Sequence, residues 1–138
     1  MYIQHYNIVT PLGFDLPTTA RLLLRERSAI ARYPMYGQLT DVCLSKIGDG
    51  AIENRFQQVV ERNDFSRLEK LLLLAIAPIF HKIKITPRTA LILSSTKGNI
   101  SALANGDSAP LLSTLAQKMA NAIGVTTTPI VVSNACVS

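Results

Sequence analysis

One cysteine stands where its sulfur could act as a nucleophile. Cys136 follows the apolar run Pro-Ile-Val-Val at residues 129–132, and its neighbours Ala135 and Ser138 are small. Where such a strand turns into a helix, the helix N-terminus offers unpaired N–H groups and a partial positive charge. These stabilise a thiolate and can hold the oxyanion formed when a thioester carbonyl is attacked. Many free cysteines are inert core residues, so spacing alone leaves both interpretations open.

The other residues with chemical potential carry weaker signals. Cys43 lies in a predicted strand and is expected to be a small buried or half-buried residue. Two cysteines at unrelated positions predict neither a disulfide framework nor a metal site, and we expect no cofactor. The two histidines, His5 and His81, match no catalytic motif, so we expect no catalytic role for them. Residues 97–99 lack the spaced glycines of a phosphate-binding loop and predict a turn.

The elements that must position Cys136 alternate between short apolar runs and helical patterns. This rhythm predicts an α/β fold, in a single domain over residues 1–138. The predicted strands cover residues 2–10, 41–46, 89–95 and 129–132, with a short element at 28–32 and a turn at 48–50. The predicted helices cover residues 18–27, 67–77 and 111–123.

Local signals specify several of these elements. Asp15 is the predicted N-cap of the first helix, which is expected to turn the leucines at residues 22–24 inward. Gly124 is predicted to end the last helix. The helix at residues 67–77 is apolar nearly all round and is expected to be buried. The strands at residues 89–95 and 129–132 are continuously apolar, which is typical of strands covered on both faces.

Composition and charge restrict the class of protein. Of the 138 residues, 48% are hydrophobic, enough to build a buried core. The net charge of +5 suits an acidic partner, but the basic residues are dispersed, so we expect no nucleic acid. The longest apolar run, residues 71–80, is too short to span a bilayer, so we expect no membrane partner. No export signal is recognisable, and we expect a cytoplasmic location.

Three segments, taken in order, resemble the β-ketoacyl synthase family. They are Ile-Val-Thr-Pro-Leu-Gly at residues 8–13, Leu-Ile-Leu-Ser-Ser-Thr-Lys-Gly-Asn at residues 91–99, and Val-Val-Ser-Asn-Ala-Cys-Val-Ser at residues 131–138. The last is the most specific, because the family's active-site signature is a small polar pair, Ala, Cys, a small residue and Ser. The resemblance extends over essentially the whole chain.

The resemblance implies a fold and an activity. The fold would be the N-terminal half of a thiolase-like layered αβα architecture with a mixed sheet, truncated after the nucleophile. The activity would be acyl transfer, in which Cys136 takes an acyl group and a decarboxylating malonyl thioester then condenses with it, in fatty-acid or polyketide-type biosynthesis. Because the family's two downstream histidines would lie beyond Ser138, we expect the chain alone to be inactive.

The resemblance also implies partners. The family works on acyl carrier proteins and forms dimers, so we expect a carrier protein and either a homodimer or a heterodimer with another synthase chain. Arg62, Arg67 and Lys70 match the family's basic surface for the acidic carrier, although a solvated helix start would look the same. Two alternatives stay open: a non-catalytic partner subunit of a condensing heterodimer, and a thiolase-type enzyme acting on coenzyme A thioesters.

Overall fold

The computed structural model describes residues 2–60, 64–100 and 111–133. Within these ranges it shows four helices and two two-stranded sheets, which confirms the predicted mixed α/β class. The helices are α1 (Leu16–Leu24), α2 (Asp49–Gln57), α3 (Arg67–Phe80) and α4 (Leu112–Ile123). The strands are β1 (Ile30–Tyr36), β2 (Leu39–Ser45), β3 (Ile92–Ser94) and β4 (Ile130–Val132). No helix in the described part of the chain is both long and apolar enough to cross a membrane.

The chain divides into two compact units. The first comprises Met1–Asn63 and Leu73–Lys82, and the second comprises Asp64–Leu72 and Ile83–Ser138. The expectation of a single domain over residues 1–138 stays a prediction. In each unit the buried apolar side chains come from helices and the segments beside them. The first unit buries Ile52, Phe56, Leu73 and Leu74; the second buries Leu93, Leu115, Ala116, Met119, Ala120 and Val125.

The start of α1 confirms the predicted cap. The Asp15 carboxylate accepts hydrogen bonds from the Thr18 backbone N–H (2.7 Å) and from the Thr18 hydroxyl (3.1 Å). These bonds, and more weakly the positive charges of Arg55 and Arg21, hold the pKa of Asp15 below its usual value. Pro17 occupies the first turn, where its missing N–H costs no helical hydrogen bond.

The first predicted strand is wrong, since residues 2–9 form no strand in the structure. This segment is instead held by hydrogen bonds of the Asn7 side chain. The Asn7 Nδ2 group donates to the carbonyl oxygens of Phe14 (3.3 Å) and Ala75 (3.1 Å), and Asn7 Oδ1 accepts from the Leu16 backbone N–H (3.1 Å). The last bond satisfies a donor that the first turn of α1 would otherwise leave unpaired. Asn7 therefore joins the N-terminal segment to α1 and α3.

A tight turn at residues 10–13 leads from this segment to α1. Thr10 and Gly13 exchange two backbone hydrogen bonds of 2.8 and 3.0 Å. The Thr10 hydroxyl accepts from the Leu12 N–H and lies 3.1 Å from the hydroxyl of the buried Thr19. A Cβ atom on Gly13 would lie only 2.8 Å from Thr18 Cγ2, so the turn and the helix can approach this closely only with glycine.

The leucines of α1 do not face inward as expected. Leu22 is half-buried, whereas Leu23 and Leu24 are exposed. The buried residue of this helix is Thr19, one turn before Leu23. Leu23 shares a face with Thr19 but is 59% exposed, so the buried part of that face ends before the last turn of α1.

The strand predicted at residues 41–46 is confirmed as β2, and the short element predicted at residues 28–32 overlaps β1, with which β2 forms an antiparallel hairpin. β1 and β2 pair from Ile30–Ser45 at the open end to Tyr36–Leu39 at the turn. Gly37 has φ +61° at the first loop position, as a two-residue type II′ turn requires. Arg32 and Asp41 form a bidentate ion pair across the strands, which lowers the pKa of Asp41. The pair is exposed and adds little stability.

The pairing of the hairpin is interrupted once. The register skips Pro34 and Asp41, which would face each other between Tyr33–Val42 and Met35–Thr40. Proline has no N–H to donate, and Asp41 has φ +54°, outside the range of regular strands. Both residues therefore weaken the same point of the ladder.

Helix α2 occupies a segment in which only a turn was predicted at residues 48–50. Gly48 is its N-cap, and Ile52 and Phe56, four residues apart, are almost fully buried on one face. The glycines at its start indicated a turn, and they outweighed the apolar pair in the sequence-based prediction.

The helices predicted around residues 67–77 and 111–123 are confirmed. α3 continues three residues beyond its predicted end, past Pro78. α4 buries Leu115 and Met119 and ends at Gly124, whose φ of +75° is the left-handed conformation expected of a glycine after a helix. The Val125 N–H then bonds to the Ala120 carbonyl, closing the helix end (2.9 Å).

Replacing Gly13 with alanine should destabilise the protein by about 1–3 kcal/mol, because the new methyl group overlaps Thr18. Gly50→Ala is the matched control: a Cβ there meets nothing within 4 Å, and alanine at a helical position should raise stability by up to about 1 kcal/mol. Urea denaturation of both variants checks this. Equal effects at the two glycines would contradict it.

The cap at Asp15 should make stability depend on pH. Because folding lowers the pKa of Asp15, its contribution is present above about pH 4, the unfolded value, and is lost as the pH falls through the lower folded value. Asp15→Ala should therefore cost about 1 kcal/mol at pH 7 and less at pH 2–3. Thermal or urea denaturation across this range measures the difference. A cost that stays constant would show that the charged cap is not responsible.

Candidate active site

The sheet formed by β3 and β4 brings two of the family-like segments together. The strands are parallel, with Ile92, Leu93 and Ser94 opposite Ile130, Val131 and Val132. Two hydrogen bonds extend the pairing: Ile130 N–H to Leu91 O (2.9 Å) and Ser95 N–H to Val132 O (3.1 Å). Parallel strands end at the same edge of their sheet. The loop after β3 and the residues after β4 therefore begin at the same edge of this sheet.

Both strands are less covered than expected. Leu93 is buried, but Ile92, Ser94, Ile130 and Val132 are exposed. The prediction that these strands are covered on both faces is therefore wrong for the described residues. Leu93 of β3 is buried, and β4 contacts α4, whose Leu115, Ala116 and Met119 are buried.

The loop after β3 is a hydrogen-bonded turn, as predicted. The Ser95 hydroxyl donates to the Lys97 carbonyl (2.7 Å) and accepts from the Lys97 backbone N–H (3.3 Å). The Ile100 N–H bonds to the Gly98 carbonyl (2.9 Å). The Lys97 side chain is exposed, and it follows β3 at the edge of the sheet where β4 also ends.

The first turn of α3, which carries two predicted carrier-binding residues, begins with a capping box. The Ser66 N–H donates to Glu69 Oε2 (2.7 Å), and the Glu69 N–H donates to the Ser66 hydroxyl (3.4 Å). This reciprocal arrangement satisfies two donors that a helix start would otherwise leave unpaired.

Lys118 of α4 stabilises this helix start. Its Nζ atom donates to Glu69 Oε2 (2.8 Å) and to the Asp64 carbonyl (2.7 Å), and it lies 4.9 Å from the centre of the Phe65 ring. The Glu69 side chain is buried, whereas that of Lys118 is partly exposed. A buried carboxylate needs such a cation and hydrogen bonds to offset its lost hydration.

The predicted site residues fall in different places. Cys136 and Arg62 lie outside the described residues. Arg67 is the first residue of α3 and is exposed. Lys70 is only 7% exposed, so its charge is largely withdrawn from solvent. The structure brings Arg67 and Lys70 into one helical turn, and the role of all three basic residues in carrier binding stays a prediction.

The remaining sequence candidates do not come together. Cys43 is exposed on β2, not buried as expected. His5 is half-buried and lines a cleft of about 450 Å³, and His81 directly follows α3. In the described part of the chain, no three His, Cys, Asp or Glu side chains are grouped as metal ligands.

Comparisons with protein-family models, with curated proteins and with solved structures found no match to this chain.

Sequence reasoning missed the set Ser66, Glu69 and Lys118. The Ser-x-x-Glu spacing at residues 66–69 is a capping-box signal and could have identified the first two. Nothing local pointed to Lys118, which lies 49 residues after Glu69 and reaches it only through the fold.

Removing the Lys118 charge should destabilise the protein, because Glu69 would keep its buried carboxylate without a cation. We expect Lys118→Met to cost about 1–3 kcal/mol. Glu69→Gln should cost less in the Lys118→Met background than in the wild type, because the two side chains interact. Urea denaturation of the single and double variants measures this coupling. Lys97→Met, at an exposed lysine, is the control with little expected effect; strictly additive costs would exclude the interaction.

Proposed function

We propose that this chain belongs to a β-ketoacyl synthase and contributes its nucleophile, Cys136. The parallel pairing of β3 and β4 is the observation that supports this most. It joins the most specific segment of the resemblance, residues 131–138, to the central segment, residues 91–99, through their strands. The strands of both segments end at one edge of the sheet, which is where the residues of a shared site would have to lie.

The geometry of the sheet edge suits the proposed chemistry. Val132 ends β4 beside Ser95, and Cys136 follows it by four residues. Four residues of extended chain span at most about 14 Å, so connectivity limits how far the sulfur can lie from this edge. In α/β folds, ligands bind at the carboxyl ends of parallel strands, where loops carry the reacting groups.

The proposed reaction has two steps at the cysteine. The Cys136 thiolate attacks the carbonyl carbon of an acyl thioester, and the carrier's thiolate leaves, taking up a proton as thiol. A malonyl thioester then loses CO₂, and the resulting enolate carbon attacks the acyl-cysteine, releasing the Cys136 thiolate. Backbone N–H groups would hold the oxyanion in each attack. Neither His5 nor His81 stands in a segment resembling the family's histidine motifs, so we propose only the first step for this chain.

The proposed partners follow from the same resemblance. An acyl carrier protein would deliver the substrate, in the cytoplasm, to a homodimer or to a heterodimer with another synthase chain. Arg67 is the described basic residue best placed to meet an acidic carrier, since it is exposed at the first position of α3. The buried Lys70 would contribute less.

Acylation of the intact chain tests the nucleophile. Incubation with an acyl carrier protein thioester at pH 7, followed by peptide mass spectrometry, should show the acyl group on Cys136. Cys43 is the internal control, because it is exposed and free to react. Because an activated cysteine reacts faster than an ordinary exposed thiol, we expect the Cys136 adduct to exceed the Cys43 adduct about tenfold.

Two variants complete this experiment. Cys136→Ala should abolish the adduct, and Cys43→Ser should leave it unchanged. Equal labelling of both cysteines would contradict an activated nucleophile, and no labelling of Cys136 would favour the non-catalytic subunit. Acylation by the coenzyme A thioester but not by the carrier thioester would favour the thiolase-type alternative.

A further inference from the structure

A second surface, independent of the proposed reaction, lies in the first unit. An apolar cleft of about 420 Å³ opens between the turn at residues 10–13, the end of α1 and the base of the hairpin. Its walls include Pro11, Leu12, Leu23, Arg27 and Ile30. We call it the leucine cleft.

The rim of the leucine cleft exposes large apolar side chains. Leu23 is 59% exposed and Ile30 is 65% exposed, and the neighbouring Leu24 is 86% exposed. Single exposed leucines are common, but Leu23 and Ile30 line one apolar cleft together and form a patch with its walls. Such a patch, bordered by polar residues, is typical of an interaction site.

The charge beside this patch is positive. Arg27 lines the leucine cleft, and the exposed Arg21 and Arg25 lie on the same stretch of chain, with Glu26 as its acidic residue. Within the described residues, the Arg27 guanidinium forms no ion pair. Arginine is enriched at protein interfaces, because its planar guanidinium forms two hydrogen bonds with a carboxylate and is more weakly hydrated than the lysine ammonium.

The shape of the cleft distinguishes between possible occupants. Small-molecule sites enclose most of their ligand, but here Leu23, Arg27 and Ile30 are all exposed and the cleft is open. An anionic membrane shares this charge complementarity and also takes up exposed apolar side chains, so vesicle binding is measured beside peptide binding. A protein segment can place an apolar side chain into the cleft and a carboxylate beside Arg27.

We propose that the leucine cleft binds an acidic amphipathic segment of a partner protein. Apolar side chains of that segment occupy the cleft against Leu23 and Ile30, and an acidic residue pairs with Arg27. This is the helix-in-groove mode of recognition, with anchors spaced three and four residues apart. The proposal does not depend on Cys136 or on acyl transfer.

The test uses a fluorescein-labelled helical peptide with leucines at positions i, i+3, i+4 and i+7 and glutamates elsewhere. Fluorescence anisotropy with the full chain should show saturable binding. Arg27→Gln and Leu23→Asp should each weaken it about tenfold, as expected for a central charged or apolar anchor. A peptide with lysines in place of the glutamates should not bind.

Matched controls separate the cleft from general charge and hydrophobicity. Arg88→Gln removes one exposed arginine in the second unit, and Leu111→Asp changes a leucine that is 62% exposed there; neither should alter binding. Circular dichroism verifies that all variants fold. The proposal is overturned if the controls weaken binding as much as the cleft variants, if no variant weakens it, or if the chain binds vesicles with 30% phosphatidylglycerol but not the peptide.

Discussion

The parallel pairing of β3 and β4 is the constraint on which the proposed site depends. It is only three residues long on each strand, so it cannot persist by its own hydrogen bonds. Parallel strands require a crossover, and the described part of this one contains α4. Helix α4, with the buried Leu115 and Met119, packs against β4. The relation between the loop after β3 and the end of β4 is therefore maintained by helix packing as much as by the sheet.

Three of the four helices in the described residues, α1, α3 and α4, were predictable because their signals are local, and the apolar runs indicated β2, β3 and β4. Asp15 with Pro17 specified the start of α1, and Gly124 specified the end of α4. The run of strong helix formers after Ser66 was sufficient for α3. The proposed nucleophile motif also consists of adjacent residues, but Cys136 lies outside the described residues, so this assignment stays a prediction.

What could not be predicted depends on contacts distant in sequence. Residues 2–9 have a strand-like composition, but Asn7 bonds to Ala75, 68 residues away, and no local pattern encodes that choice. The burial of Lys70 in the first turn of α3 was likewise invisible, because its position looked like a solvated helix start. The exposure of Leu23 and Leu24 depends on which face of α1 meets the rest of its unit. Tertiary context overrides local preference in each case.

The interruption at Pro34 and Asp41 divides the hairpin into two paired segments that differ in length and therefore in stability. Toward the turn, two residue pairs, Met35–Thr40 and Tyr36–Leu39, are separated from the four pairs at the base. Such a short ladder on an exposed ribbon opens at low free-energy cost. Exchange of backbone amide hydrogens with solvent at the tip therefore needs only local fraying, whereas exchange at the base requires the longer ladder to separate.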